Sequence, residues 1–148
     1  MSDLRIEIIP HGSEQYEASV ALRDKVLRQP LGLQFSEEEL AKESDQIHVI
    51  ASVDDALIGV LVLVPIGPKT YKMRQVAVAP EWQGKGIGTR LVSFSEEYAI
   101  RKGVCCIELH ARKEAVQFYL DLAYTKLGDE FVEVGIPHFK MEKNWCAQ

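Results

Sequence analysis

The sequence has few cysteines and no long apolar run, and both scarcities narrow what the protein can be. Its 148 residues include three cysteines, an odd number that indicates buried free thiols in a reducing compartment rather than a disulfide framework. No apolar run approaches the length of a membrane span. The opening segment MSDLRIEIIP lacks the basic and apolar regions of a signal peptide. We therefore expect a cytoplasmic protein that does not bind a membrane.

Cationic residues are also scarce. Lys and Arg total 17 against 22 Asp and Glu, so the formal net charge is −5. This balance argues against a nucleic-acid-binding surface and is mildly consistent with a cationic or amine substrate. No Cys/His spacing is typical of a zinc site, so we expect no metal. The length and the 47% hydrophobic content indicate one globular domain, 1–148, and leave open whether it forms a homodimer.

Turn and capping signals divide the chain into alternating strands and helices. The alternation in Leu4–Ile9 predicts a strand, and Ser13 is a plausible N-cap for a helix to about Gln29, closed by Pro30. Ser36 has the spacing of a capping box, which predicts a second short helix. Further strands are predicted at 47–53, 57–65, 71–78, 104–109, 125–134 and 138–142, with a helix after residue 86 and another over 113–122. The order β-α-α-β-β-β-α-β-α-β-β indicates a mixed α/β fold, with a mostly antiparallel sheet, flanking helices and one helical crossover.

The segment from Val76 to Val92, VAVAPEWQGKGIGTRLV, predicts an anion site. A strand that passes through closely spaced glycines into a helix presents free backbone N–H groups at a positive dipole end, a common phosphate site. The P-loop pattern fails because Gly86 follows Lys85, where Ser or Thr is needed. The dinucleotide pattern fails because Thr89 stands where its third glycine belongs. An ordinary tight turn is the alternative.

The pattern that does fit, Q-x-x-G-x-G after a V-x-V-x-P strand, resembles the acetyl-CoA-binding motif of the GCN5-related N-acetyltransferases (GNAT family). The resemblance implies that the loop cradles the CoA pyrophosphate. It also implies that strand 73–78 splays from strand 104–109, so that its backbone holds the pantetheine arm and one N–H polarises the thioester carbonyl. The cofactor-binding residues implied are Val76, Ala77, Val78, Gln83, Gly84, Lys85, Gly86, Ile87, Gly88 and Thr89.

A second segment, from Ala115 to Tyr124, is similar to the family's A-x-x-F-Y-x-x-L-G-[FY] pattern. On spacing alone Tyr119 is a core tyrosine. The resemblance implies a catalytic Tyr119 that protonates the departing CoA thiolate, since a phenol stays protonated at neutral pH. Arg112 replaces the family's Asn and either reaches a CoA phosphate, as a further cofactor-binding residue, or lies in solvent. Ala123 replaces the family's glycine.

Candidate bases are less well defined. His138 follows Pro137 at a strand start, within a G-I-P-H-x-x-M segment that is similar to a subgroup of bacterial acetyltransferases. Its pKa range suits a catalytic base, although a structural histidine is the simpler interpretation. Two rival bases are His110, directly after the strand predicted at 104–109, and Glu108, on that strand.

These features predict an acetyl-CoA-dependent N-acetyltransferase acting on a primary amine of a small molecule or peptide. Acetyl-CoA and the amine are its expected partners. A non-catalytic acyl-CoA-binding module and a purely structural partner of an assembly are the alternatives.

Overall fold

Residues 3–146 are described by a computed structural model, in which one seven-stranded sheet carries the helices on its faces. The strands are β1 (Leu4–Ile9), β2 (Ile47–Val53), β3 (Ala56–Gly67), β4 (Thr70–Val78), β5 (Cys106–Arg112), β6 (Thr125–Glu133) and β7 (Ile136–Asn144). The helices are α1 (Glu14–Arg23), α2 (Glu37–Ala41), α3 (Ile87–Arg101) and α4 (Val116–Asp121). The predicted order of strands and helices is therefore confirmed.

The strands lie in the order β1-β2-β3-β4-β5-β7-β6. Within the described residues, β4 and β5 form the one parallel pair, and α3 connects them as the predicted crossover. All the other neighbouring strands pair antiparallel. The mixed, mostly antiparallel α/β fold is confirmed.

The central strands β4 and β5 separate partway along their length. They pair from Thr70 with Cys106 to Met73 with Leu109, and both strands then continue without a shared ladder. This splaying was predicted, and it opens a gap between residues 74–78 of β4 and the end of β5. The gap positions the candidate site.

A bulge in β4 lies where the two strands part. The β3–β4 register shifts between Val60 and Val62, and opposite this shift Gln75 has a left-handed φ of 57°. A residue other than glycine has a strained backbone in that conformation, and such strain is often found at functional sites. The bulge is a position that the sequence pattern did not indicate.

Helix α1 ends differently from the prediction. Ser13 caps it as expected and accepts a hydrogen bond from Tyr16 N at 3.1 Å. Beyond Arg23 the chain continues as a π-helical turn, Asp24–Arg28, and a 3₁₀ turn that contains Pro30. Pro30 lies at the start of this 3₁₀ turn, where a backbone N–H has no carbonyl partner within the turn. The missing N–H of proline therefore costs no hydrogen bond there. The capping box at Ser36 is confirmed.

The larger part of the core lies between the sheet and helices α3 and α4, while a smaller cluster lies under α1. Beside that smaller cluster, Arg23 is fully buried and donates to both carboxylate oxygens of Glu43. Tyr16 OH donates to the same carboxylate at 2.8 Å, and His48 Nε2 lies 2.9 Å from Glu43 O. This polar cluster joins α1 to the turn before β2.

The cysteine prediction was wrong. Cys105 and Cys146 form a disulfide with their Cα atoms 4.9 Å apart, and Cys106 is the buried free thiol of residues 3–146. The predicted strand start at residue 104 moves to Cys106, because Val104 N still donates back to Ala99 O at the end of α3, at 2.9 Å. An odd cysteine count could not show that two cysteines far apart in sequence meet across the β5–β7 pair. No helix within residues 3–146 is long and apolar enough to cross a membrane.

Candidate active site

Two clefts open where β4 and β5 splay apart. The first, here the loop cleft, lies at the glycine segment and is lined by Val26, Val76, Ala77, Val78, Trp82, Gln83, Gly84, Gly86, Ile87, Gly88, Thr89, Ala115, Phe118 and Tyr119. The second, here the histidine cleft, is lined by Leu27, Arg28, Lys72, Met73, Arg74, Gln75, Val76, Leu109, His110, Ala111, Arg112, Ala115, Tyr119, Glu133, Val134 and His138. Val76, Ala115 and Tyr119 line both clefts, so the two spaces meet at these three residues.

The glycine segment forms the N-terminal end of α3. Gly86 is the N-cap residue with a φ of 83°, and Gly84 has a φ of 76°. No side chain caps the helix, so its first N–H groups stay available to an anion. Gly88 serves another purpose, because a Cβ there would lie 3.2 Å from the Phe118 ring. The first two glycines thus shape the turn, and the third allows α4 to pack on α3.

Most of the predicted cofactor-binding residues line the loop cleft, with two exceptions. The ammonium of Lys85 lies 5.2 Å from the centre of the Trp82 ring, at the side of the loop. Arg112 lies in the histidine cleft instead and donates to Leu27 O at 3.0 Å. The structure therefore places Arg112 between β5 and the π-helical turn, and neither of the positions predicted for it, a CoA phosphate or solvent, describes this contact.

The open edge of β4 offers backbone groups to the loop cleft. Ala79 N donates to Ile58 O of β3 at 2.8 Å. Because N–H groups alternate along a strand, those of Val78 and Val76 face away from β3, toward the gap. The Gln83 side chain donates to Val78 O at 2.9 Å, which fixes the loop to that edge. The N–H of Val76 is directed toward the place where the clefts meet.

Tyr119 is buried between the two clefts. Its ring packs edge-on against Phe118 and Tyr124, with centroids 4.9 and 5.7 Å away. Burial raises the pKa of Tyr119 well above its usual range. The phenol is therefore protonated at neutral pH and can donate a hydrogen bond to a charged atom in the junction.

Two histidines flank one carboxylate in the histidine cleft. His110 Nδ1 lies 2.9 Å from Glu133 Oε1, and His138 Nε2 lies 3.7 Å from Glu133 Oε2. Burial opposes ionisation of Glu133. The hydrogen bond and charge of His110, with the charges of His138 and Lys72, outweigh that effect and lower the Glu133 pKa. Glu133 is therefore a carboxylate at neutral pH.

The two histidines differ in what their ring nitrogens can do. His138 is 4% exposed, and its Nδ1 lies 2.9 Å from Ile136 O, which can only accept a hydrogen. The buried position and backbone contact support a structural role for His138. His110 is 25% exposed at its side chain. If Glu133 accepts the Nδ1 hydrogen of His110, the Nε2 lone pair is left to take a proton.

The other candidate bases lie elsewhere. Glu108 lines neither cleft and lies 3.8 Å from the ammonium of Lys140.

Glu133 and Gln75 are site residues that the sequence reasoning missed. Gln75 Oε1 is buried with no hydrogen-bond partner within residues 3–146. Only the alternation of polar residues in β4 and β6 could have drawn attention to them. In that same part of the chain, no group of three or more His, Cys, Asp or Glu side chains could hold a metal ion.

Comparison with known proteins agrees with this geometry. The family described as Acetyltransferase (GNAT) domain matches residues 14–145. The uncharacterised protein YyaT of Bacillus subtilis is 29% identical over 119 residues, which are 74% of this chain and 80% of that protein. Escherichia coli ElaA has the same fold, with a TM-score of 0.81 at 18% identity, covering 97% of this chain and 100% of ElaA.

The PaiA N-acetyltransferase of Thermoplasma acidophilum, solved in complex with coenzyme A, is also similar in fold. Its TM-score is 0.74 at 18% identity, covering 97% of this chain and 99% of PaiA. These likenesses show the fold, and the family match extends over almost the whole chain. The chain belongs to the GNAT family and is an acetyl-CoA-dependent acyltransferase.

Proposed function

We propose that the protein transfers the acetyl group of acetyl-CoA to a primary amine that binds in the histidine cleft. One observation carries the proposal: the loop cleft and the histidine cleft meet at Val76, Ala115 and Tyr119. A thioester that extends from the glycine segment along β4 would reach this junction. An amine in the other cleft would approach the thioester from the opposite side. Holding both reactants in one geometry supplies the proximity term of catalysis.

The loop cleft fits the phosphates and pantetheine arm of acetyl-CoA. The uncapped N–H groups at the start of α3 suit the pyrophosphate. The open edge of β4 suits the amide groups of the arm, which would pair with it as an added strand does. The Gln83 side chain now occupies Val78 O, so we expect it to turn aside when the arm binds. Lys85, beside Trp82, is free to approach a phosphate.

His110 is the base that we propose for the amine, in place of His138. The nitrogen of the amine attacks the thioester carbon, the N–C bond forms, and His110 Nε2 takes the amine proton. Glu133 keeps the ring oriented and stabilises the imidazolium that results, because its carboxylate lies 2.9 Å from Nδ1. The unpaired Gln75 Oε1 supports an amine at this position, since an amine N–H would satisfy it.

Two groups at the junction act on the charges that develop during transfer. The thioester oxygen becomes negative as the amine adds, and the Val76 N–H is directed to stabilise it. The C–S bond then breaks, and the electron pair leaves with sulfur. Tyr119 OH donates a hydrogen bond to this thiolate and supplies its proton, and the Tyr119 oxygen regains a proton from the His110 imidazolium through solvent, so both side chains return to their starting states. Because burial raises the pKa of Tyr119, the hydroxyl keeps its proton until the thiolate forms.

The acceptor is proposed to be a small molecule or the end of a peptide. The histidine cleft has a volume of about 360 Å³, which lies in the range of small-ligand sites. The cytoplasmic location expected from the sequence stays a prediction. The disulfide between Cys105 and Cys146 removes the free-thiol argument that supported it.

A thiol-release assay tests the proposal. The purified protein and acetyl-CoA are mixed with members of a panel of primary amines, and the acetylated product is identified by mass. Amine-dependent release of CoA with an N-acetylated product is expected. CoA binding by calorimetry without release for any amine would contradict the transferase and favour the acyl-CoA-binding module. The absence of CoA binding would contradict both and favour a structural partner.

A further inference from the structure

The histidine cleft is cationic although the chain as a whole is acidic. Its lining includes four cationic side chains, Arg28, Lys72, Arg74 and Arg112, against the single carboxylate of Glu133. The whole chain carries a net charge of −5. A cleft lined by one sign of charge raises the local concentration of ligands of the opposite sign. The positive charge of the cleft favours an anionic ligand, whereas the overall composition was mildly consistent with a cationic or amine substrate.

Two of the four cations already have partners. Arg28 donates to Glu39 at 3.2 Å and stacks over the Phe35 ring, 4.2 Å from its centroid. Arg112 donates to Leu27 O. The Arg112 contact holds the π-helical turn against β5, and the Arg28 contacts hold the same turn against α2 and the loop before it, so these cations help to build the wall of the cleft.

The other two cations have no ion pair to a carboxylate among residues 3–146, although the charge of Lys72 acts on Glu133 and helps to lower its pKa. Lys72 and Arg74 lie two residues apart on β4, so their side chains share one face of the sheet at the point where β4 and β5 separate. Neither residue lines the loop cleft, so they do not serve the CoA pyrophosphate at the glycine segment.

We propose that the acceptor is a primary amine that also carries an anionic group, a carboxylate or a phosphate. Lys72 and Arg74 bind the anionic group, and the amine lies at His110 and Gln75. The cleft lining includes groups suited to each end of such a molecule. The carboxylate of Glu133 favours the amine end, and the paired cations on β4 favour the other end. This inference rests on the proposed function, because it assigns the acceptor for that same site.

Binding measurements test the inference without turnover. The protein is saturated with CoA, the product, and titrated by calorimetry with two matched pairs: phosphoethanolamine against ethanolamine, and β-alanine against β-alaninamide. The members of each pair differ mainly in the anionic group. The anionic member of at least one pair is expected to bind ten-fold tighter or more, and added salt is expected to reduce this preference. The pair with the larger ratio distinguishes a phosphate from a carboxylate.

A double variant tests which residues bind the anion. Lys72→Gln with Arg74→Gln is expected to abolish the preference. The control, Arg101→Gln with Lys102→Gln, removes the same charge at the exposed end of α3 and is expected to keep it. Equal binding within both pairs, or no binding by any of the four amines, would overturn the inference. So would a preference that survives in the Lys72/Arg74 variant.

Failure of the inference is distinguishable from failure of the proposed function. The thiol-release assay reports acetylation of any primary amine, whether it is neutral, cationic or anionic. Acetylation with no preference for anionic amines would overturn the inference and leave the transferase intact. A binding preference without acetylation of any amine would overturn the transferase and leave the anion site.

Discussion

His110 Nδ1 and Glu133 Oε1 lie 2.9 Å apart, although 22 residues separate the two in the chain. The contact joins the splayed end of β5 to the end of β6, across β7. It places an oriented imidazole on the wall of the histidine cleft, with a carboxylate behind it. An ionised carboxylate at this position both selects the tautomer and stabilises the protonated ring.

Removing either partner of this pair should impair proton transfer. His110→Gln is expected to lower kcat/KM about 10²–10⁴-fold, the usual contribution of a general base. Glu133→Gln should have a smaller effect on kcat/KM, because the amide can still orient the ring but stabilises the imidazolium less than a carboxylate does. Glu130→Gln is the matched control, since Glu130 lies on β6 as Glu133 does and its carboxylate contacts the exposed Lys113 instead of a histidine. An unchanged kcat/KM in both test variants would contradict the assignment.

The glycine segment should bind CoA through its backbone. Gly86→Ala and Gly86→Glu both strain a residue whose φ is 83°, but only glutamate adds a negative charge beside the phosphates. We expect calorimetry to show a modest loss of CoA affinity for alanine and a loss at least ten-fold larger for glutamate. Gly12→Glu controls for left-handed strain with added charge, because Gly12 has a φ of 82° at a distant turn. Equal affinities for the two Gly86 variants would argue against a pyrophosphate at this loop.

The buried ion pair of α1 should make the protein sensitive to acid. Burial opposes ionisation of Glu43, but the hydrogen bonds and charge of Arg23 outweigh it and lower the Glu43 pKa from 4.5. Burial also lowers the pKa of His48 from 6.5. Both groups bind more protons in the unfolded chain. The stability they provide is therefore present at neutral pH and lost as the pH falls, below 6.5 for His48 and below 4.5 for Glu43.

Urea denaturation at a series of pH values measures this effect. At neutral pH, Glu43→Gln should lower the free energy of unfolding by about 3–5 kcal/mol, because the fully buried Arg23 is left with an uncompensated charge. The exposed pair of Glu39 with Arg28 supplies the control, and Glu39→Gln should cost less than about 1 kcal/mol. The gap between wild type and Glu43→Gln should narrow as the pH falls through the titration of Glu43. If the difference in free energy of unfolding between the two proteins widened on acidification, the predicted direction of the pH effect would be wrong.

The disulfide should be detectable by counting thiols. Denatured protein kept from reductant should react with one equivalent of a thiol reagent, at Cys106, and reduced protein with three. Cys146→Ser should then lower the free energy of unfolding by about 2–4 kcal/mol in the oxidised protein, because the bond closes a long loop of the unfolded chain. Under reducing conditions the variant and wild type should unfold alike. Three reactive thiols without reductant would refute the bond.

The fold could be predicted because its signals are local. Strand alternation, the caps at Ser13 and Ser36, and the glycine segment each fall within a few residues, and the element order follows from them. The π-helical turn after Arg23 could not be predicted in this way. The turn has contacts with distant parts of the chain, β4 and Arg112 of β5, which a local pattern does not show.

The site was predictable only in part for the same reason. The loop cleft is formed mostly by one continuous segment, so its residues could be named from the motif. The histidine cleft is formed by β4, β5, β6 and β7 together with the turn after α1. The pairing of His110 with Glu133 depends on strand register, which a single sequence does not show. The bulge at Gln75 and the bond from Cys105 to Cys146 likewise require the tertiary structure.

The central claim is that Tyr119, at the junction of the two clefts, acts on the leaving sulfur, and one comparison tests it most directly. Turnover is measured for Tyr119→Phe and Tyr124→Phe, with acetyl-CoA and the best acceptor, under conditions where chemistry limits the rate. The two tyrosines pack edge-on against each other, and Tyr124 OH donates to Glu96 at 2.9 Å.

Each substitution removes one buried hydroxyl, so the pair separates catalysis from packing. Tyr119→Phe should lower kcat about 10²–10⁴-fold with little change in CoA affinity. Tyr124→Phe should keep its rate and lose about 1–3 kcal/mol of stability, because Glu96 loses a buried donor. Wild-type turnover in Tyr119→Phe, with the stability loss found there instead, would contradict the account.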